Sequence, residues 1–406
     1  MSDFRQAGPI TTLPRLGDCD VRRRERELAR YASVTPLALA IPCLVTELDQ
    51  PALAGMVREL SKVPFLDCVV VALDQADEAG YQRALEYFRD LRQRTVVIWN
   101  DAPRMLELRD QIERQVTSLG PAGKGRAVWL AFGYVLGEHR VRAVALHDAD
   151  VVDYQRSLLV NLALPLLHPE LNFHFAKAYY ARFTDRLHGR VVRLLIRPLL
   201  QAMADHVGRH PFLVYLEAFR YPLAGEMALE IDLLRWIRIP GDWGLEVGLL
   251  FEVLRHRSPR RICQVDVADT FEHKHQPLSP DDPTAGLHRM AVDIVKHLLR
   301  TLSAAGVVLQ KGGFPSLRAA YQRYAEDAVA DSYNVSVFNG LSFDRHAEEE
   351  AVDTFARALA EGCEQFAADP LGTPSLANWA RVLSAIPGAA EQLVGTVRML
   401  DGVLAR

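Results

Sequence analysis

The sequence predicts an α/β fold, a mostly parallel central sheet with helices on both faces, followed by a helical C-terminal extension. Three observations carry this. Between residues 36 and 150 short apolar runs alternate with stretches of helical spacing, the signature of strands joined by crossover helices. Polar residues or a breaker follow each of those runs, as they do where strands end at a ligand-facing edge. After about residue 285 the strand-like runs stop and only helical periodicity remains. These shifts divide the chain into an N-terminal arm (1–35), an α/β domain (36–280) and an extension (281–406) that packs on the domain and builds a homodimer contact. Asp281-Asp282-Pro283 marks the second boundary.

Taken in order, residues 1–35 are polar, with a basic cluster at Arg22-Arg23-Arg24-Glu25-Arg26 that reads as a solvated, partly helical arm. Leu37 to Leu44 is an apolar strand, and Pro51 to Val63 places Leu53, Met56, Val57 and Leu60 on one helical face. Asp67 to Leu73 is a second strand ending at Asp74, followed by a helix through Tyr81, Ala84, Leu85 and Phe88. Thr95 to Trp99 is a third strand, ending in Asn100-Asp101. A helix over 125–137 leads into the strand that ends at His147-Asp148. Phe175 to Tyr180 and Ile262 to Val267 are further strand-like runs. In the extension, 285–304, 315–330, 345–367 and 388–404 are predicted helices with Leu stripes that serve packing.

Composition narrows the function classes. The chain has 406 residues, 49% hydrophobic and 24% charged, which suits a globular protein with one large and one smaller domain. A net charge of -4 argues against a general nucleic-acid binder, whose affinity rests on clustered Lys and Arg. Five scattered cysteines, Cys19, Cys43, Cys68, Cys263 and Cys363, lack C-x-x-C spacing and read as reduced thiols of a cytoplasmic protein. No apolar run approaches the roughly 20 residues that span a bilayer, so no membrane partner is expected.

The polar residues at the strand ends carry the chemistry. Glu47 lies past the first strand, Asp74 and Gln75 after the second, Asn100 and Asp101 after the third, and Asp148 and Asp150 after the fourth. One such residue alone reads as a helix cap; four converging on one edge suit a nucleotide. The Asp148-Ala149-Asp150 pair, at the end of the apolar run Ala143 to Leu146, offers hard oxygen donors to a divalent cation. Pro121-Ala-Gly-Lys124-Gly-Arg126 precedes a helix. It lacks the first glycine and the Ser or Thr of a phosphate-binding loop, and it reads either as a turn or as an anion site with bare amides and the Lys124 charge. Lys177, in a strand, is either snorkelling or aimed at an anion. Gly189 and Arg190 open a helix at a position that suits an anionic group. Two glycine-bearing turns, Tyr221 to Glu226 and Asp242-Trp243-Gly244-Leu245-Glu246-Val247-Gly248, each set an acid among hydrophobes, where an unpaired carboxylate costs several kcal/mol. His273 and His275 form an H-x-H that is either a surface pair or a metal-ligand source, with one histidine enough to complete a site begun by Asp150.

The series Pro42 to Glu47, Pro121-x-Gly-Lys-Gly125, Asp148-Ala-Asp150, Gly189-Arg190, Arg197-Pro-Leu-Leu200, Pro222-Leu-x-Gly225-Glu226, Gly244-Leu-Glu246-Val-Gly248 and His273-x-x-x-Pro277-Leu278 resembles the glucosyl-3-phosphoglycerate synthases over residues 37–280. These are retaining glycosyltransferases of GT-A fold that move glucose from a nucleoside diphosphate to the 2-hydroxyl of 3-phosphoglycerate. The resemblance implies that Pro42, Leu44 and Glu47 line the uridine end of the donor pocket and that Lys124 meets the diphosphate or sugar. It implies that Asp148 meets the ribose, with Asp74 and Ala149 also on the donor. Asp150 and His273 would hold Mg²⁺ or Mn²⁺. Glu246 would hold the glucosyl hydroxyls, with Glu226 and Trp243 shaping that pocket. Lys124, Asp150 and Glu246 are thereby the catalytic set. Gly189, Arg190, Val192 and His275 would receive the acceptor; the family often has Thr or Ser at the position of Val192, whose hydroxyl would bond the acceptor phosphate. By the same comparison, retention would follow from front-face substitution, the leaving phosphate taking the acceptor proton. UDP-glucose is the expected donor. Readings with D-glycerate as acceptor or GDP-mannose as donor keep every metal and donor motif, a nucleotidyltransferase lacks its glycine-rich signature near the first strand, and a degenerate binding protein would not need these acids and bases.

Overall fold

The computed structural model describes residues 6, 8–17, 20–120, 122–272, 278, 286–372 and 375–404, the side chains of 402–404 excepted. Eight strands form one sheet: β1 (Thr11–Leu13), β2 (Leu37–Leu44), β3 (Leu66–Asp74), β4 (Arg94–Trp99), β5 (Ala143–Leu146), β6 (Phe175–Tyr180), β7 (Met227–Glu230) and β8 (Ile262–Ala268). Their spatial order is β1-β8-β6-β7-β5-β2-β3-β4, parallel except for β7, which runs against β5 and β6. Leu37 to Ile41 and Val69 to Leu73 are buried without alternation, as strands must be when helices cover both faces. The chain runs from β2 outward through β3 and β4, then returns to place β5 on the other side of β2. The crevice beyond the carboxyl ends of β2 and β5 is therefore the point where strand order reverses, the usual ligand position in such sheets.

Six helices accompany the first half: α1 (Val21–Ala32), α2 (Pro51–Leu60), α3 (Glu78–Phe88), α4 (Pro103–Gln115), α5 (Lys124–Glu138) and α6 (Arg156–Leu167). Four follow, α7 (Arg197–Val207), α8 (Pro211–Glu217), α9 (Ile231–Trp236) and α10 (Leu245–His256). The extension is α11 (Gly286–Ala304), α12 (Phe314–Phe338), α13 (Arg345–Ala368), α14 (Trp379–Ala385) and α15 (Ala389–Leu404).

The first 35 residues are not the solvated arm that their polarity predicts. Thr11–Leu13 pair with Cys263–Val265 as the sheet's edge strand, and α1 packs on α6 with Leu28 fully buried. Two members of the Arg22 to Arg26 cluster serve that contact, Arg24 donating to Asn161 at 2.5 Å and Glu25 taking Arg156 at 2.7 Å, while Arg22, Arg23 and Arg26 are exposed. The helical part of the expectation stands, with Asp20 capping α1 through the Arg23 amide.

The extension is fused to the sheet layer through α5. Every residue of α5 from Gly125 to Leu136 is buried, because α15 covers the flank the sheet leaves open. Trp129 stacks on Trp379 with centroids 4.3 Å apart, and each indole N–H finds a carbonyl, Trp129 on Ala377 and Trp379 on Trp129. Gly133 is required there, since a Cβ would occupy the Trp379 ring.

Candidate active site

Five carboxylates and two lysines meet at the carboxyl ends of β5, β6 and β2. Asp148 and Asp150 follow β5 closely, where the His147 amide, donating to Ala40 O at 3.1 Å, carries the ladder one residue past Leu146. Lys124 opens α5 and reaches both Asp148 at 2.7 Å and Glu246 at 2.9 Å. Burial alone would lower the pKa of this ammonium; the two carboxylates more than reverse that and hold it above its usual value. For Asp150 the balance goes the other way: burial first, then the neighbouring Asp148, outweighs the pull of Lys124 and lifts its carboxyl to about 6. Glu47 sits buried in the single 3₁₀ turn Val45–Asp49 that follows β2 and adds to the negative field on Asp150.

Glu226 arrives by a route that sequence reading missed. It precedes β7, a four-residue strand too short to show alternation, and because β7 is antiparallel its start lies at the carboxyl edge of its neighbours, with Met227 opposite Leu146 and Lys177. Gly225 is then pressed against the Asp148 carboxylate, where a Cβ would collide. Tyr180 donates to Glu226 at 2.9 Å, yet burial, with Asp148 adding, pushes the Glu226 carboxyl up to about 7.

Lys177 does not snorkel. It is fully buried, its ammonium donates to Ala224 O, and burial brings it down to about 8 despite the attraction of Glu246 and Glu226. The Asp242 to Gly248 segment is also not wholly a turn. Only Asp242–Gly244 turns, with the Gly244 amide on Asp242 Oδ1 at 2.9 Å; α10 begins at Leu245 and carries Glu246 in its first turn. Gly248 lies inside that helix because Pro240 and His297 of α11 fill the space a side chain would take. Trp243 is 41% exposed on the turn.

Around the crevice beyond β2 and β5, Pro42 is half-buried, Leu44 is exposed at the strand end, and Ala149 is buried between the two aspartates. Asp74 ends β3, buried, with Asn100 Nδ2 at 3.4 Å and the Arg126 guanidinium at 3.9 Å. Burial raises Asp74 and lowers Arg126. Arg126 was legible only as a charge at the head of an otherwise apolar helix. His147, between β5 and Asp148, is buried with Nδ1 3.1 Å from the Tyr154 hydroxyl; burial holds it at about 3, a neutral imidazole.

Gly189 and Arg190 open a single π-helical stretch, Val191–Ile196, that runs into α7. Such stretches are frequent at functional sites. Gly189 takes φ +72° and packs on Tyr221. Arg190 meets Glu348 of α13 at 2.8 Å, and Arg193 meets the other oxygen of the same carboxylate at 2.8 Å. One Arg193 nitrogen, Nη2, is buried with no partner among the described residues. The Val192 side chain is buried, and its amide donates to Gly189 O at 3.1 Å. Tyr321 of α12 donates to Leu194 O at 2.9 Å, so the extension grips this turn from two helices. His273 and His275 lie outside the described residues, as does the Asp281-Asp282-Pro283 boundary. Among the described residues no group of three or more His, Cys, Asp or Glu forms a ready metal site. Asp150 nevertheless fits a hard divalent cation: a half-buried carboxylate beside a second one, with no ion pair among the described residues, supplies oxygen and negative charge.

No family model matches the sequence. The chain is 40% identical over 397 residues to the glucosyl-3-phosphoglycerate synthase of Persephonella marina, covering 98% of each chain. It is 37% identical over 363 residues to that of Methanococcoides burtonii, covering 88% of each. Among solved structures, the glucosyl-3-phosphoglycerate synthase of Mycobacterium tuberculosis with Mn²⁺, uridine diphosphate and glucosyl-3-phosphoglycerate superposes with a TM-score of 0.53 at 22% identity, over 74% of this chain and 90% of that one. The same enzyme with Mn²⁺ and UDP-glucose gives 0.53 at 22% identity, over 75% and 89%. At that identity the likeness concerns the fold, which is GT-A.

Proposed function

Because the chain belongs to the glucosyl-3-phosphoglycerate synthase family, we propose that it transfers glucose from UDP-glucose to the 2-hydroxyl of 3-phosphoglycerate with retention of configuration. The observation that carries this is the Lys124 bridge between Asp148 and Glu246 at the switch point of the sheet. A preorganised cation at that place faces the charge that grows on a departing diphosphate, in a site shielded from water. Asp150 and His273 are the residues proposed to hold Mg²⁺ or Mn²⁺, which when bound supplies Lewis-acid stabilisation of the same charge. Pro42, Leu44, Glu47, Asp74 and Ala149 form the proposed nucleotide wall. Glu246, with Glu226 and Trp243 beside it, orients the glucosyl hydroxyls. The C1 to diphosphate bond breaks as the acceptor oxygen bonds C1 on the same face, and the acceptor proton passes to the leaving phosphate.

For the acceptor, Gly189, Arg190 and the Val192 turn are proposed, with His275 beside them. Two arginines share the single Glu348 carboxylate, which leaves one positive charge and one buried N–H donor to draw an anion. That balance supports a phosphorylated acid even though Val192 lacks a hydroxyl. Among the described residues no helix is long and apolar enough to cross a membrane. The four described cysteines are buried free thiols, which supports a cytoplasmic setting. The domain division at 35 and 280 and a homodimer complete the proposal; exposed Val335, Val337 and Phe338 at the end of α12 offer the apolar contact. The test is a product assay with purified protein, Mg²⁺, UDP-glucose and 3-phosphoglycerate. Glucosyl-3-phosphoglycerate and uridine diphosphate in equal amounts are expected; hydrolysis of donor with no glucosylated acid would refute the reading.

A further inference from the structure

A second cationic cleft lies on the carboxyl edge of the sheet, beyond the ends of β6 and β8. It encloses about 540 Å³ and is lined by Arg15, Tyr179, Arg197, Arg220, Asp266 and Asp269 among others. That volume falls within the range of roughly 300–1,000 Å³ typical of small-ligand clefts. Lys124, Asp148, Asp150, Glu246 and Arg190 do not line it.

Its charges do not balance. Arg15 takes both carboxylates, Asp266 at 3.3 Å and also Asp269. Arg197 and Arg220 are left with no carboxylate partner among the described residues. They are nonetheless held together: the Arg197 guanidinium donates to the Arg220 carbonyl at 3.1 Å, and the Arg220 guanidinium lies 4.9 Å over the Tyr179 ring. Both side chains are exposed at the rim of the cleft, so solvent moderates their mutual repulsion, and an anion bound between them would neutralise both charges. The Arg220 amide is itself pinned by Gln264 at 2.7 Å, so the loop that presents it is not free to relax away. Tyr179 lines the cleft and is 6% exposed, and its hydroxyl, like those of Tyr87 and Tyr215, has no hydrogen-bond partner among the described residues, which leaves it free to donate.

We propose that this cleft binds a small phosphate-bearing anion through Arg197, Arg220 and the Tyr179 hydroxyl, at a position separate from the donor and acceptor of the transfer. Planar guanidinium forks match tetrahedral phosphate oxygens in pairs, and the cleft is too small and too local for a polymeric anion. The source is free inorganic phosphate or a phosphorylated metabolite, 3-phosphoglycerate included. Arg197 is the first residue of α7, and its amide donates to Val192 O, so the anion would rest on the helix that continues the acceptor turn.

The experiment is calorimetric titration of the metal-free full-length protein with inorganic phosphate, repeated on Arg197→Gln/Arg220→Gln, on Tyr179→Phe and on Arg190→Ala. The proposal expects saturable binding that weakens at least about tenfold in the double variant, equivalent to about 1.4 kcal/mol, weakens less in Tyr179→Phe, and persists in Arg190→Ala. It further expects 3-phosphoglycerate to fill two sites in the native protein and one in the double variant. Absence of phosphate binding to the native protein, equal binding in the double variant, or loss in Arg190→Ala alone would overturn it. Tyr179→Phe keeps the ring and the fold, so it decides the matter should the double variant prove unstable. None of these readouts depends on transferase activity, which is measured separately.

Discussion

Lys124, Asp148, Asp150, Glu226, Glu246 and Lys177 place four acids and two bases within one buried crevice, and their individual environments assign them different work. Asp150, unlike Asp148 and Glu246, makes no ion pair with Lys124, so Asp150→Asn should cut metal-dependent transfer about a thousandfold, roughly 4 kcal/mol of barrier. Thermal stability should hold or rise, because the change relieves repulsion with Asp148. Near-normal turnover in steady-state assays would remove Asp150 from the metal site. Lys177 makes a different prediction. Burial brings its pKa from 10.5 to about 8, so below about 8 both folded and unfolded chains are protonated and the fold carries the full cost of the buried charge. Between about 8 and 10.5 the unfolded chain keeps a proton the native state has released, and stability therefore rises with pH across that window. Lys177→Met should abolish that rise and add roughly 3 kcal/mol at pH 7, as read by urea unfolding at pH 7 and 10. A parallel pH slope in variant and native protein would mean that Lys177 is not desolvated. The pattern of acids was legible at the strand ends, since Asp148, Asp150 and Asp74 each follow an apolar run. The partner of Lys177 was not, because nothing local in Phe175 to Tyr180 reveals which loop carbonyl covers it.

At the level of elements, the parallel strands were the most readable: Leu37–Leu44 matches its expectation to the residue, β3 extends one residue beyond it at each end, and β4 begins one residue earlier. What escaped was short or context-made. Thr11–Leu13 and Met227–Glu230 hold three and four residues, too few for a periodicity to declare itself. Gly248 argued for a turn by composition, but tertiary crowding by Pro240 and His297 selects glycine inside α10. The π-helical turn at Val191–Ile196 likewise owes its shape to partners 127–158 residues away in sequence, Tyr321, Ser332 and Glu348. Glu348→Ala removes the carboxylate shared by Arg190 and Arg193, which should cost about 3–5 kcal/mol because both charges lose their buried partner. The same change should raise the acceptor KM about tenfold through misplacement of Arg190 while the donor KM stays put. Equal shifts in both KM values would make Glu348 structural only.

Across the whole molecule, the extension is part of the catalytic fold, however clearly the sequence changes character near residue 285. α15 and Trp379 bury the helix that opens with Lys124, α11 backs the helix that carries Glu246, and α12 and α13 hold the turn of Arg190. A chain ending at residue 285 should therefore expose the apolar flank of α5 and lose cooperative unfolding; a truncated protein that melts cooperatively and still binds UDP-glucose would contradict this. Sequence periodicity located the four long helices of the extension but could not show what they cover, since their apolar stripes read alike against a domain or a second subunit. The proposed reaction places acceptor selection at the Arg190 turn. Its most direct measure is the ratio of kcat/KM for 3-phosphoglycerate to that for D-glycerate, with UDP-glucose and Mg²⁺ saturating, in the native protein and in Arg190→Ala. The account predicts a strong preference for 3-phosphoglycerate that collapses in the variant; a native protein that favours D-glycerate, or a preference untouched by Arg190→Ala, would contradict it.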